Sequence, residues 1–397
     1  MYTDMSSSAL WRMRTALKHH DRVREIVFEG TNANFNKILK QTQCAFPLLE
    51  SLLLHFENYT TKLPDTFLRG PDLPDLHLRR LGLKRVSLDS ISGFLLSATT
   101  VTDLSLGIDT AFGSSPEVSL LTCLQGMPCL RRLDLSISSS SSSSSSSALP
   151  SSTPKNIVPL SRLTGFHYSG YSLFVDALVA GLSAPSLLDV DIQFFDDSPP
   201  IAHLPRFINE IEEQYHACRV TFQEWDFRFL LQTQSEYIND CKPRFKLGPF
   251  PRHSEVSTIR MSGVLSAKLT TVEKLRVTFL RTASNFWENL IPWREFLQHF
   301  PRLKEILTEG ANNYCIARVL PQDLEDPDDN ELAFLPALEE IELGIDLSLT
   351  DESQLGPELA AFQPFVSARQ QTGRPVKVFL SPYWPRRGRS QLALSHG

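Results

Sequence analysis

An α/β architecture of stacked strand-and-return turns is what the sequence predicts, on three observations. A short apolar phrase, L-x-x-L-x-L or a near variant, recurs along the 397 residues. Its copies keep a rhythm: from Val23 through Leu49, Leu78, Val101, Leu130 and Leu163 to Leu187, first anchors lie 26, 29, 23, 29, 33 and 24 residues apart. Between copies run segments with apolar residues at helical spacing, closed by glycine or proline. Together these describe a leucine-rich-repeat solenoid, an irregular horseshoe with parallel strands on its concave face and helices and loops on its convex face.

Leu10, Met13 and Leu17 predict an amphipathic first helix. The strand phrases then follow in order. "VREIVF" carries Val23, Ile26 and Phe28; "FPLLESLLL" carries Leu49, Leu52 and Leu54; "LHLRRLGL" carries Leu78, Leu81 and Leu83. Next come Val101, Leu104 and Leu106, then Leu130, Leu133 and Leu135, then Leu163, Phe166 and Tyr168, then Leu187, Val190 and Ile192. A weak copy at Ala217, Val220 and Phe222 precedes a gap of 55 residues to Val272, which hides a degenerate repeat in "DFRFLLQTQ" or an insertion. The series resumes with Val272, Leu275 and Val277, then Leu303 and Ile306, then Leu338, Ile341 and Leu343, for about ten irregular repeats in a single solenoid over 1–397.

Residues two apart on a strand point to one face, so the leucines go inward and the residue between them outward. Three buried anchors stabilise a turn by roughly 2 kcal/mol each, whereas ordering the backbone costs about 1–2 kcal/mol per residue. One turn cannot fold alone, and stacking solves this by burying both sides of each turn. The return segments fit: Ser115 caps a helix that starts at Pro116 and turns Val118, Leu121 and Leu124 to one face. "IPWREFLQHFPRL" offers Trp293, Phe296, Leu297 and Phe300, and Pro301 ends the helix and opens the next strand phrase. The Asn or Cys that usually follows the last leucine by three is replaced by Glu57, Asp109, Ser138, Phe195, Leu280 and Asp346, which predicts variable curvature. Residues 136–156, with ten consecutive serines from Ser138 to Ser147, are expected to be a disordered loop, and 384–397 a disordered tail.

Composition narrows the function. The net charge is −6 and the pI near 6.0, which argues against nucleic acid and anionic membrane as partners. Cys44, Cys123, Cys129, Cys218, Cys241 and Cys315 show no paired spacing and read as free thiols in a reducing compartment. No signal-like or membrane-length apolar run occurs, so a soluble cytoplasmic or nuclear protein is expected and the sequon at Asn58 reads as chance. Nucleotide-loop, zincin and hydrolase motifs are absent. The pairs His19 with His20 and His216 with Cys218 lack the repeated spacing of a closed metal site, and the acidic run at 323–331 lacks calcium-loop spacing. No catalytic residue, metal or cofactor is therefore expected.

What remains is the outward strand face. Its expected partner-binding residues are Glu25, His55, Arg80, Lys84, Asp103, Arg132, Asp134, His167, Asp189, Asp191, Lys274, Arg276, Glu340 and Glu342. Ten strands at the usual spacing would make it about 45 Å long, enough for a protein partner.

The order of phrases also resembles the F-box-associated leucine-rich-repeat proteins of mushroom-forming fungi. "HDRVREI", "FPLLESLLL", "LPDTFLRGPDLPDLHLRRLGL", "LLSATTVTDLSL", "LTCLQGMPCLRRLDLSI", "DALVAGLSAPSLLDVDIQFF", "LPALEEIEL" and "FVSARQQTGRPVKV" carry the resemblance from about residue 17 to 383. It implies substrate recognition for a cullin-type ubiquitin ligase, an F-box docking Skp1 while the repeats choose the target. The chain departs from that pattern in having no F-box-like helical segment before residue 17. Skp1 and cullin are accordingly expected partners only where an F-box lies upstream. The alternatives are a ligase-independent scaffold or ligand sensor using the same face and, more remotely, a hydrolase within 223–271.

Overall fold

The computed structural model describes residues 7–57, 60–64, 67–68, 77–109, 116–138, 157–195, 201–222, 227–233, 245–247, 255–279, 291–309, 316–317, 320, 335–345 and 352–382. It shows a mixed α/β fold with extensive, mostly parallel sheet, in two compact units: residues 1–190 with 201–212, and 191–200 with 213–397. Residues 139–156 and 384–397, Ser115, Asn58, Cys241, Cys315, Leu280, Asp346 and the acidic run at 323–331 lie outside the described residues.

In the first unit, helix α1 (Ser7–Leu17) buries Leu10 and Leu17 and packs on α2 (Asn32–Ile38), whose N-cap Thr31 accepts the Asn34 N–H. Strands β1 (Glu25–Gly30), β2 (Ser51–Phe56), β3 (Arg80–Lys84), β4 (Asp103–Asp109), β5 (Arg132–Ser138) and, after the short β6 (Val158–Pro159), β7 (Gly165–Gly170) pair in parallel order. The unit then enters β9 (Asp189–Phe194), of which it holds the first two residues, through the Leu188 and Asp189 N–H groups donating to Thr164 O.

The register makes the apolar rows continuous. Ile26, Leu52, Leu81, Leu104, Leu133 and Phe166 are successive partners, as are Phe28, Leu54, Leu83, Leu106, Leu135 and Tyr168, and every one is buried. Those from β2 to β7 therefore pack against the strand before and the strand after, and each buried anchor contributes on the order of 2 kcal/mol. Helices α3 (Leu88–Ser97), α4 (Pro116–Gln125), α5 (Ser172–Ala180) and α6 (Leu204–Glu210) return between strands, and β6 forms a separate two-stranded sheet with β8 (Leu182–Ser183).

Two side chains tie these returns together. The buried Asp176 carboxylate on α5 accepts the N–H groups of Ala202, His203 and Leu204 at 3.1, 2.8 and 2.9 Å, satisfying donors at the start of α6. In return, Arg206 of α6 donates to the carbonyls of Val179, Ala180 and Leu182 at 3.0, 3.1 and 3.4 Å, where α5 ends.

The second unit has the strand order β12 (Phe245–Leu247), β11 (Phe227–Gln232), β10 (Ala217–Phe222), β13 (Lys274–Phe279), β14 (Glu305–Glu309), β15 (Glu340–Ile345) and β16 (Lys377–Pro382). From β10 through β13 to β16 the pairing is parallel. Leu275, Ile306, Ile341 and Val378 form one buried row. Helices α7 (Glu255–Leu269), α8 (Ile291–Gln298) and α9 (Glu352–Gln371) return between strands. Trp293, Phe296, Leu297 and Phe300 are buried as predicted. Just beyond α9, Gly373 adopts φ 72°, and the Arg374 N–H closes onto Arg369 O, a left-handed helix stop.

Three sequence readings are corrected. Residues 136–138 are the end of β5, because Ile137 completes its buried alternation, and do not belong to the loop. Val118 is exposed: α4 buries Leu120, Leu121, Cys123 and Leu124, and Val118 lies round the helix from that group. The weak copy is framed two residues earlier than the sequence reading placed it. Cys218 partners Leu275 and Val220 partners Val277, which makes Tyr215, Cys218 and Val220 the buried anchors. Of the two alternatives for the gap before Val272, the insertion is the one observed: β10 pairs directly with β13, while β11 runs antiparallel to β10 and β12 antiparallel to β11.

Candidate functional site

In the first unit, parallel register carries the outward residues into rows. One row runs Glu25, Ser51, Arg80, Asp103, Arg132 and Gly165; the next runs Val27, Leu53, Gly82, Ser105, Asp134 and His167; a third runs Glu29, His55, Lys84, Gly107, Ser136 and Ser169. Charges in these rows answer one another across strands. Arg80 lies 3.3 Å from Glu25, His55 3.3 Å from Glu29, and Arg132 4.0 Å from Asp103. All are substantially exposed, so the pairs fix side-chain positions more than they stabilise the fold.

The tightest cluster is at β5, β7 and β9. His167 Nε2 hydrogen-bonds the Asp189 carboxylate at 3.2 Å, while Nδ1 stands 2.9 Å from Asp134 Oδ1 in an ion-pair contact. Asp134 does most to raise the His167 pKa above the usual 6.5; partial burial opposes it, and Asp189 adds to the rise.

Glycines shape the relief of this face. A Cβ at Gly82 would stand 2.6 Å from Leu53 Cδ2, and one at Gly107 3.1 Å from Lys84 Cγ. In both cases the long side chain of the preceding strand leans over the glycine beside it, and Arg132 lies likewise over Gly165. Leu53 and its register partner Val27 are the exposed apolar residues of these rows. Expected site residues Glu25, His55, Arg80, Lys84, Asp103, Arg132, Asp134, His167 and Asp189 are thus on one sheet face, and Val27, Leu53 and Glu29 join them. Val27 and Leu53 carry no charge to mark them in the sequence, whereas Glu29 stands one place past Phe28 just as His55 does past Leu54 and was legible there.

In the second unit Asp191 is 3.2 Å from Lys246, and Lys274 is 2.9 Å from Glu305. Glu340 and Glu342 are half-buried on β15. Arg276 departs from expectation. It is buried, with a side chain only 10% exposed, and forms an ion pair with the equally buried Glu309, whose second oxygen accepts from Thr278 Oγ1 at 3.0 Å. An outward-pointing arginine was expected in solvent; here it is a structural ion pair, and Glu309 was missed because it falls after the strand phrase. Gly344, partner of Glu309 in register, leaves space that a Cβ would fill at 2.9 Å from Thr308 O and 3.1 Å from Glu309 Cγ.

His20 and Cys218, considered in the sequence as metal-ligand types, have other surroundings. His20 Nδ1 donates to Ala45 O at 2.9 Å beside Phe46, and Cys218 is wholly buried, which pushes its thiol pKa far up. The four described cysteines are free thiols. No helix among the described residues is long and apolar enough to cross a membrane. No protein-family model matches the chain, and no curated protein matches it.

Proposed function

We propose that the chain is a non-enzymatic leucine-rich-repeat solenoid that binds a protein through its outward strand rows, as the substrate-recognition part of an F-box-type ubiquitin ligase receptor. One observation supports the binding role above all: the strands that bury continuous apolar rows carry, on the opposite side, exposed residues of both charge signs held in register. Such a face is rigid before it meets a partner, so little ordering cost is added on binding, and its charge pattern selects complementary surfaces. The ligase assignment rests on the resemblance in the sequence phrases.

The test is quantitative capture from cells by the wild-type chain and by a variant carrying Arg80→Glu, Lys84→Glu and Arg132→Glu, with circular dichroism to establish equal folding. The reading expects a discrete protein partner that the wild type retains and the variant loses by at least tenfold. Equal recovery by both would remove the binding role from this face. Reconstitution with purified Skp1 and cullin, using the full product of the gene, separates a ligase receptor from a scaffold: target binding without Skp1 recovery favours the scaffold.

A further inference from the structure

We propose that His167 is a proton-dependent staple, its imidazolium holding Asp134 of β5 and Asp189 of β9 to β7 at low pH and releasing one of them as pH rises. The geometry carries this. The ring lies between two carboxylates from the two flanking strands, one facing each nitrogen, at 2.9 and 3.2 Å.

An imidazolium donates from both nitrogens and serves both carboxylates. A neutral ring has one N–H and one lone pair, so it satisfies one carboxylate and turns a lone pair towards the other. Loss of the proton also changes the cluster from one net negative charge to two, with like charges facing each other across an uncharged ring. Other charged groups on these strands are engaged elsewhere: Arg132 of β5 faces Asp103, and Asp191 of β9 faces Lys246.

The sign follows from linkage. The folded-state pKa of His167 is raised, so its stabilising contribution is complete below the ordinary value of 6.5 and is lost as pH rises through the folded value. The first unit therefore weakens, and its outward face becomes more acidic, on the alkaline side of that window.

Proton NMR titration of the full chain, with the His167 signal assigned by its absence in His167→Gln, tests this. The staple requires a wild-type midpoint above 6.5 that falls towards the ordinary value in Asp134→Asn combined with Asp189→Asn. A wild-type midpoint at or below 6.5, or one that the Asn changes leave in place, overturns the proposal. Should the double variant not fold, urea midpoints decide: between about pH 6 and pH 8.5 the wild type must lose stability relative to His167→Gln, and parallel curves for the two proteins refute the staple.

Discussion

The two units bury their strands by the same rule and use the outward sides of those strands differently. In the first, from β1 to β7, the charged outward residues meet solvent and pair loosely, as Arg80 does with Glu25. In the second, β13 and β14 turn Arg276, Thr278 and Glu309 to the corresponding side and bury all three. The difference teaches that an inward leucine pattern says nothing about what covers the opposite side. A charged residue at an outward position is a binding candidate at Arg80 and part of the packing at Arg276.

The contrast can be broken most directly at Glu309. Glu309→Ala removes the carboxylate that the buried Arg276 guanidinium faces and should cost about 3–5 kcal/mol, read as a lowered denaturant midpoint. A loss below about 1 kcal/mol would mean that the pair behaves like those of the first unit. Asp176→Ala should follow. Three N–H groups at the start of α6 lose a charged acceptor, for about 3 kcal/mol, with amide exchange at Ala202, His203 and Leu204 rising first.

A finer comparison sets Gly344→Ala against Gly82→Ala. The first places a methyl group against the Thr308 carbonyl and should cost about 1–3 kcal/mol. The second meets only the end of the Leu53 side chain, which can swing away, and should cost less than about 1 kcal/mol. Smallest of all, Arg80→Ala should change stability by no more than about 0.5 kcal/mol while removing a contact from the proposed binding face. A large unfolding effect there would show the face to be structural.

The strands were readable because alternation and leucine preference reinforce each other: Leu52, Leu104, Leu133 and Ile341 all lie in buried rows. The frame of β10 was misread because Tyr215 and Cys218 are not leucines. A slip of two residues keeps the same side of the strand inward, so alternation could not reveal it. The antiparallel turn-back into β11 and β12 was invisible for a related reason. Phe229 and Leu231 are buried and spaced as in any half-buried strand, and strand direction leaves no mark in a period of two. At the candidate site, residue positions were legible from spacing, but the burial of Arg276 depends on what packs above it, which is non-local. The His167 cluster joins residues 134, 167 and 189, and only stacking in register makes them neighbours.

The glycines at 82 and 107 have an implication for how such a surface diverges. Each is a vacancy into which the adjoining strand lays a long side chain, so exchanging Leu53 or Lys84 for another residue alters texture without disturbing any main-chain path. On the proposed binding reading, a lineage can thus rewrite the contact surface one position at a time, while the buried leucines go on dictating the same folded course.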